Sequence, residues 1–210
     1  NNLVVGDDAA IDYVRVERGG AVPGADTDAS DIDVITSLST TAAGGADQID
    51  TGSGNDLIIG GRHGDTITVV GGNNLVMGDS GMLTAANENG NRFGSGPLTL
   101  MTIGKLETTE PGDGGVDTIK TGVGRDTILG GPDADTITAN VGETGANVDG
   151  DNLVLGDDGA IDNVRAEREP AALGGDANAG DMDLISSTDY ADGAVDTITT
   201  GNGNDIVMGG

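Results

Sequence analysis

Cysteine and tryptophan are absent from this sequence, Phe93 is its only phenylalanine, Tyr13 and Tyr190 its only tyrosines, and His63 its only histidine. Without cysteine there are no disulfides and no thiolate metal sites, and one histidine cannot build an imidazole-rich zinc or iron centre. Aromatic residues make up 1% of the chain, too few for the thick core of an ordinary globular domain. Positive charge is also scarce. Nine Lys and Arg face 36 Asp and Glu, for a formal net charge of −27. Such a surface repels phosphate backbones and anionic headgroups, so nucleic acid and acidic membranes are poor partners, no nucleic acid is expected, and metal cations are favoured. No apolar run reaches the length of a membrane span, and no membrane insertion is expected.

What is abundant is glycine, at 39 of 210 positions, and aspartate, with 29 Asp against 7 Glu. A merely solvated surface has no reason to prefer the shorter acid. Tight turns do, because Asx side chains bond nearby backbone and Gly supplies positive φ. Oxygen ligands on flexible turns suit Ca²⁺ better than Mg²⁺, which demands a stricter octahedron.

The order of these residues is repetitive. NNLVVGDDAAIDYVRVER from Asn1 returns as DNLVLGDDGAIDNVRAER from Asp151, and its opening returns as NNLVMGDSGML from Asn73. A second block reads GGADQIDTGSGNDLIIGG (44–61), GGVDTIKTGVGRDTILGG (114–131) and GAVDTITTGNGNDIVMGG (193–210). The chain is therefore a three-fold array with a period of about 75 residues. It starts and stops inside a repeat, which suggests a longer polymer, through covalent continuation or head-to-tail self-association.

Within each large repeat runs a period of nine, as in TGSGNDLII (51–59), TGVGRDTIL (121–129) and TGNGNDIVM (200–208). Position six carries the acid or its amide. Position eight is Val4, Ile49, Ile58, Ile67, Val76, Ile119, Ile128, Ile137, Val154, Ile198 or Val207, in every case the β-branched type that a short strand buries. One inward residue per nine explains a core without aromatics. A disordered Gly/Asp-rich coil would not keep that register.

This pattern resembles the calcium-binding nonapeptide G-G-x-G-x-D-x-U-x of the repeats-in-toxin (RTX) family, found in very large repetitive bacterial surface or secreted proteins. Thr51, Thr121 and Thr200 replace the first Gly, His63 and Asp133 replace the second-half Gly, and Asn2, Asn74 and Asn152 replace the Asp. The resemblance implies an all-β fold: calcium-stabilised parallel β-roll segments at 1–8, 42–81, 112–159 and 194–210, interrupted by antiparallel hairpin insertions at 9–41, 82–111 and 160–193. In the family's roll two nonapeptides make one coil, so turns eighteen residues apart stack at about the 4.8 Å spacing of adjacent strands. Asp47 would then face Asp65, Asp56 face Asn74, Asp117 face Asp135, and Asp126 face Asn152 once 139–146 are looped out. Asp196 and Asp205 would need partners past the last residue. Stacked carboxylates repel until a divalent ion lies between them.

The resemblance further implies carbonyl ligands at Thr51, Ser53, Thr121 and Val123. Asp7, Asp79 and Asp157, in GDDA, GDSG and GDDG, would support the weaker levels where Asn replaces Asp. Several ions are expected, roughly six to ten. DTDASDID (26–33) and DANAGDMD (176–183) are second candidates, although Asx-rich turns explain them as well. In the insertions, AIDYVRVER (10–18) pairs plausibly with DIDVITSLS (31–39), and AIDNVRAER (160–168) with DMDLISSTD (181–189). Asp12, Val14 and Val16 would share one face, and Tyr13, Arg15 and Glu17 the other.

Catalytic look-alikes dissolve on alignment. Ser80 of GDSG (78–81) is a variant of a repeated Asp, and His63 stands at a turn position that Gly54 fills in the preceding nonapeptide. No Lys follows the Gly-rich turns as a phosphate loop requires. No enzyme is expected. The function expected is a non-catalytic, calcium-folded structural repeat of a secreted or cell-surface bacterial protein, an adhesin stalk or self-assembling fibre. The alternative is an RTX carrier domain of a toxin or exoenzyme whose activity lies elsewhere.

Overall fold

A computed structural model of the chain describes residues 1–13, 32–38, 44–85, 103–163, 182–191 and 193–209. Among these there are no helices, and seventeen short strands run in chain order. The first seven are β1 (Leu3–Val5), β2 (Ala9–Asp12), β3 (Val34–Ser37), β4 (Gln48–Thr51), β5 (Leu57–Ile59), β6 (Thr66–Val69) and β7 (Leu75–Met77). Next come β8 (Gly81–Ala85), β9 (Ile103–Thr108), β10 (Thr118–Gly122), β11 (Thr127–Leu129), β12 (Thr136–Val141) and β13 (Leu153–Leu155). The last four are β14 (Gly159–Asp162), β15 (Leu184–Ser187), β16 (Thr197–Thr199) and β17 (Ile206–Met208).

The nine-residue period sorts these strands alternately into two parallel sheets, consistent with a β-roll. The inner sheet runs β1-β5-β7-β11-β13-β17 and the outer sheet β4-β6-β10-β12-β16. Strands eighteen residues apart pair in register, as in Ile58↔Val76 and Ile119↔Ile137. The stack does not stop at the insertions: Ile67 pairs with Ile119 and Val76 with Ile128, each across 52 residues. The position-eight residues of both sheets meet in one core, with Ile58, Ile67, Val76, Ile119, Ile128, Ile137 and Val154 fully buried.

A third sheet lies beside the roll, antiparallel throughout, in the order β15-β14-β9-β8-β3-β2. Ile11, Ile35, Leu83, Leu106, Ile161 and Ile185 form a row across it, each opposite the next. From Ile35 to Ile185 this row packs on a second core built from the other face of the inner sheet: Leu57, Ile59, Leu75, Met77, Leu129, Leu153 and Leu155. One inward residue per nine is therefore too few. The central inner-sheet strands bury both faces, and β5, β7 and β13 are buried at all three positions. Outer-sheet strands bury one, with Thr66, Thr136 and Lys120 exposed.

In the insertions the register pairs Ala9–Asp12 with Val34–Ser37 and Gly159–Asp162 with Leu184–Ser187. Val14, Arg15, Val16 and Glu17 lie outside the described residues, as do most of 26–33 and 176–183.

Candidate metal centre

Each passage between the two roll sheets is a turn, so the roll has two edges. On one edge the position-six residues are Asp47, Asp65, Asp117, Asp135 and Asp196, stacked by the pairing of β4, β6, β10, β12 and β16. Backbone hydrogen bonds set the carboxylates: Asp47 N–H donates to Asp65 Oδ1 (2.7 Å), Asp65 N–H to Asp117 Oδ1 (2.6 Å), Asp117 N–H to Asp135 Oδ1 (2.8 Å) and Asp135 N–H to Asp196 Oδ1 (2.9 Å). Asp196 Oδ1 is thus held by the preceding rung, Asp135.

The first oxygen of each rung is satisfied and the second is not. Oδ2 of Asp47, Asp65, Asp117, Asp135 and Asp196 is shielded from solvent and has no hydrogen-bond partner. Beside it comes a glycine backbone. A Cβ at Gly60 would collide with both Gly78 O and Asp65 Oδ2, one at Gly78 with Asp117 Oδ2 and Gly130 O, and one at Gly130 with Gly156 O and Asp135 Oδ2. At these points a carboxylate oxygen and a carbonyl oxygen converge on a space only glycine leaves open.

Where an insertion departs, a further acid joins this edge. Asp7 accepts from Arg62 N–H (2.7 Å), Asp79 from Gly115 N–H (3.0 Å) and Asp157 from Ala194 N–H (3.0 Å). Oδ2 of Asp79 and of Asp157 is again buried without a partner. These acids replace the second glycine of the uninterrupted turns, Gly61 and Gly131, whose φ of 116° and 111° suits glycine.

Crowding of buried negative charge raises the carboxyl pKa values. Burial, then the charges of Asp47 and Asp7, lift Asp65 to about 7 against the Asp47 N–H bond. Burial lifts Asp135 to about 9, with repulsion from Asp117, Asp196 and Asp157 adding to it. Asp79 and Asp117 rise for the same reasons, as does Asp196, burial leading in each.

The opposite edge stacks Asn2, Asp56, Asn74, Asp126, Asn152 and Asp205 in the order of the inner sheet. The same ladder recurs: Asn2 N–H to Asp56 Oδ1 (2.7 Å), Asp56 N–H to Asn74 Oδ1 (3.0 Å), Asn74 N–H to Asp126 Oδ1 (2.8 Å), Asp126 N–H to Asn152 Oδ1 (2.9 Å) and Asn152 N–H to Asp205 Oδ1 (2.8 Å). Asp205 Oδ1, like Asp196 Oδ1, is held by the N–H of the preceding rung. Burial lifts Asp126 to about 6, opposed by hydrogen bonds from the Thr121 side chain and from Asn74.

Of the expected carbonyl donors on this edge, Val123 O already accepts from Gly72 N–H (3.3 Å), and Ser53 is exposed at a turn. Thr51 instead presents a buried hydroxyl without a partner, and the buried Thr121 hydroxyl is directed at the Asp126 carboxylate. Asp149 was missed in the sequence. It is buried, and it accepts from Gly124 N–H (3.0 Å) and Asn152 Nδ2 (2.7 Å). Its signal was the Asp–Gly–Asp–Asn run (149–152), where two acids flank the turn glycine.

Among the described residues no three ionisable side chains converge as a preformed chelate. The donors are instead single carboxylate oxygens interleaved with glycine carbonyls. That set fits a hard divalent cation: partnerless buried Oδ2 atoms of high charge density, with carbonyls beside them and no competing nitrogen or sulfur.

A two-sheet parallel roll with aspartate-lined turns defines a class of calcium-binding repeat proteins. The model of the RTX calcium-binding nonapeptide repeat (4 copies) matches residues 41–76, 111–144 and 190–210. In those segments the chain carries RTX calcium-binding nonapeptide repeats. No curated protein and no solved structure matches it.

Proposed function

We propose that the chain is a non-catalytic structural repeat of an extracellular bacterial protein, an adhesin stalk or self-assembling fibre, that folds when calcium binds at its turns. One observation carries this reading. Seven aspartates on one edge, Asp47, Asp65, Asp79, Asp117, Asp135, Asp157 and Asp196, each hold a buried Oδ2 with no partner. Uncompensated charges of this kind cost several kcal/mol each, so the ionised edge demands counter-charge.

The chain's own residues prepare the site. Backbone N–H groups fix Oδ1 and thereby aim Oδ2, while glycines keep the space beside it open and bring their carbonyls close. Asp47, Asp65, Asp117, Asp135 and Asp196, with Asp7, Asp79 and Asp157 at the departures, would hold the ions, and Asp56, Asp126 and Asp205 are the acids available on the other edge. Bound calcium supplies positive charge that turns repulsion between rungs into cohesion. Modules that bind at about 10⁻⁴–10⁻³ M stay unfolded in a calcium-poor cytosol and fold outside the cell. RTX repeats typically occur in secreted bacterial proteins, which supports the same setting. Uniform rung spacing and a third sheet that runs the length of the roll suit a stiff stalk.

Dialysis against chelator, with calcium counted per chain and sheet content followed by circular dichroism, tests the reading. Several ions per chain and gain of sheet on calcium addition are expected. Full sheet content with no calcium bound would overturn it, and electron micrographs showing only single short particles would remove the fibre.

A further inference from the structure

The two edges of the roll are chemically unequal, and we propose that calcium is confined to the all-aspartate edge while asparagine side-chain amides close the opposite edge in its place. The inference rests on the calcium reading above and concerns where the ions do not go.

The ladder decides how each asparagine is oriented. Asp56 N–H needs an acceptor and finds Asn74 Oδ1 (3.0 Å), and Asp126 N–H finds Asn152 Oδ1 (2.9 Å). The oxygen of each amide is thereby committed to the backbone. Its nitrogen takes the position that an aspartate of the other edge gives to its partnerless Oδ2. An NH₂ group donates only, so it cannot coordinate a cation.

These nitrogens are bonded to backbone carbonyls and to the carboxylate oxygens of neighbouring aspartates. Asn74 Nδ2 donates to Gly72 O (2.9 Å) and Asp126 Oδ1 (2.9 Å). Asn152 Nδ2 donates to Asp149 Oδ2 (2.7 Å), Thr200 O (3.1 Å) and Ala139 O (3.4 Å). Asn2 Nδ2 donates to Asp56 Oδ1 (2.9 Å). An ion entering here would have to break these bonds and lie against amide hydrogens.

Spacing completes the contrast. Along this edge Asn2, Asp56, Asn74, Asp126, Asn152 and Asp205 alternate strictly, so no two ladder carboxylates are successive rungs. The opposite ladder is five aspartates in unbroken succession. Asp56 keeps its Oδ2 without a partner, and the Asp126 carboxylate takes hydrogen bonds from Asn74 and the Thr121 side chain. Each therefore offers a lone carboxylate between two neutral amides, where the other edge offers pairs. Asp149, the additional acid near Asp126, has both oxygens bonded, to Gly124 N–H and Asn152 Nδ2. A second, outer amide ladder reinforces this edge, with Asn55 N–H on Asn1 Oδ1 (2.7 Å), Asn73 N–H on Asn55 Oδ1 (2.8 Å) and Arg125 N–H on Asn73 Oδ1 (2.9 Å).

Calcium bound per chain, measured by atomic emission after equilibrium dialysis in millimolar calcium, tests the assignment in three variants of the full chain. Asp65→Asn with Asp117→Asn loses about one ion per substituted rung. Asp56→Asn with Asp126→Asn binds as many ions as the unsubstituted chain. Asn74→Asp binds at least one more, and its melting temperature in chelator falls, because a donor has become a third successive carboxylate beside Asp56 and Asp126. Equal losses from the two double variants would overturn the inference and leave the calcium reading intact. An unsubstituted chain that binds no calcium would remove both. Should the first double variant fail to fold, Asn74→Asp decides: an added ion supports the assignment, and an unchanged count overturns it.

Discussion

Removing calcium at neutral pH should unfold the roll, and acid should restore it without metal. Asp135 has a carboxyl pKa raised from 3.8 to about 9 by burial and by its neighbours. A group whose folded pKa lies above its unfolded value adds stability below the unfolded value and loses it as pH rises through the folded one. For Asp135 the window runs from about 4 to about 9. At pH 7 the unfolded chain is already ionised at this position, and the difference of about three pH units is worth about 4 kcal/mol against the metal-free fold. Asp117 and Asp79 are raised in the same column and act in the same direction. A stability of about 5–15 kcal/mol does not survive several such terms.

Far-ultraviolet circular dichroism in chelator, scanned from pH 4 to pH 9, is the assay. It is best run at micromolar concentration, because the sequence pI is about 4.1 and charge repulsion between molecules vanishes near it. Sheet signal should be high at the acid end and fall as pH rises. With saturating calcium the trend should reverse, since protons then compete with the ion for the same oxygens. Equal sheet content at pH 4 and pH 8 in chelator would refute the account of the carboxylate edge.

Two further outcomes follow from single positions. Gly60→Ala places a methyl where Gly78 O and Asp65 Oδ2 converge, so calcium affinity should fall about ten-fold or more, equivalent to about 1.4 kcal/mol, as read by calcium titration. His63 sits at φ 71°, a left-handed conformation in a turn; His63→Gly should raise stability in calcium by about 1 kcal/mol, measured as a shift in the denaturation midpoint.

Much of the roll could be read from residue order alone. Ile or Val at every position eight names the inward row, because a three-residue strand between turns buries its central side chain. Aspartate at position six, eighteen residues apart, names rungs such as Asp47–Asp65 and Asp117–Asp135, since a regular coil converts sequence period into spatial repeat. The third sheet also had a signal that the period obscured. Positions seven and nine are apolar in Leu57–Ile59, Leu75–Met77 and Leu153–Leu155 but polar in Thr66–Thr68 and Thr136–Thr138. Apolar residues on both faces of alternate strands require a second layer over one sheet and none over the other.

Tertiary structure alone decided which rungs meet across the insertions. Asp65 abuts Asp117, and Asn74 abuts Asp126, over 52 residues of chain. Loop closure grows slowly with length, so sequence distance says little about whether an insertion separates two coils or leaves them paired. Backbone pairing between β6 and β10 and between β7 and β11 settles it. The same holds for the asparagines. Composition gives each an oxygen and a nitrogen of equal standing, and only the N–H of the neighbouring rung, placed by sheet register, turns the oxygen one way and leaves the nitrogen facing turn carbonyls and neighbouring carboxylates.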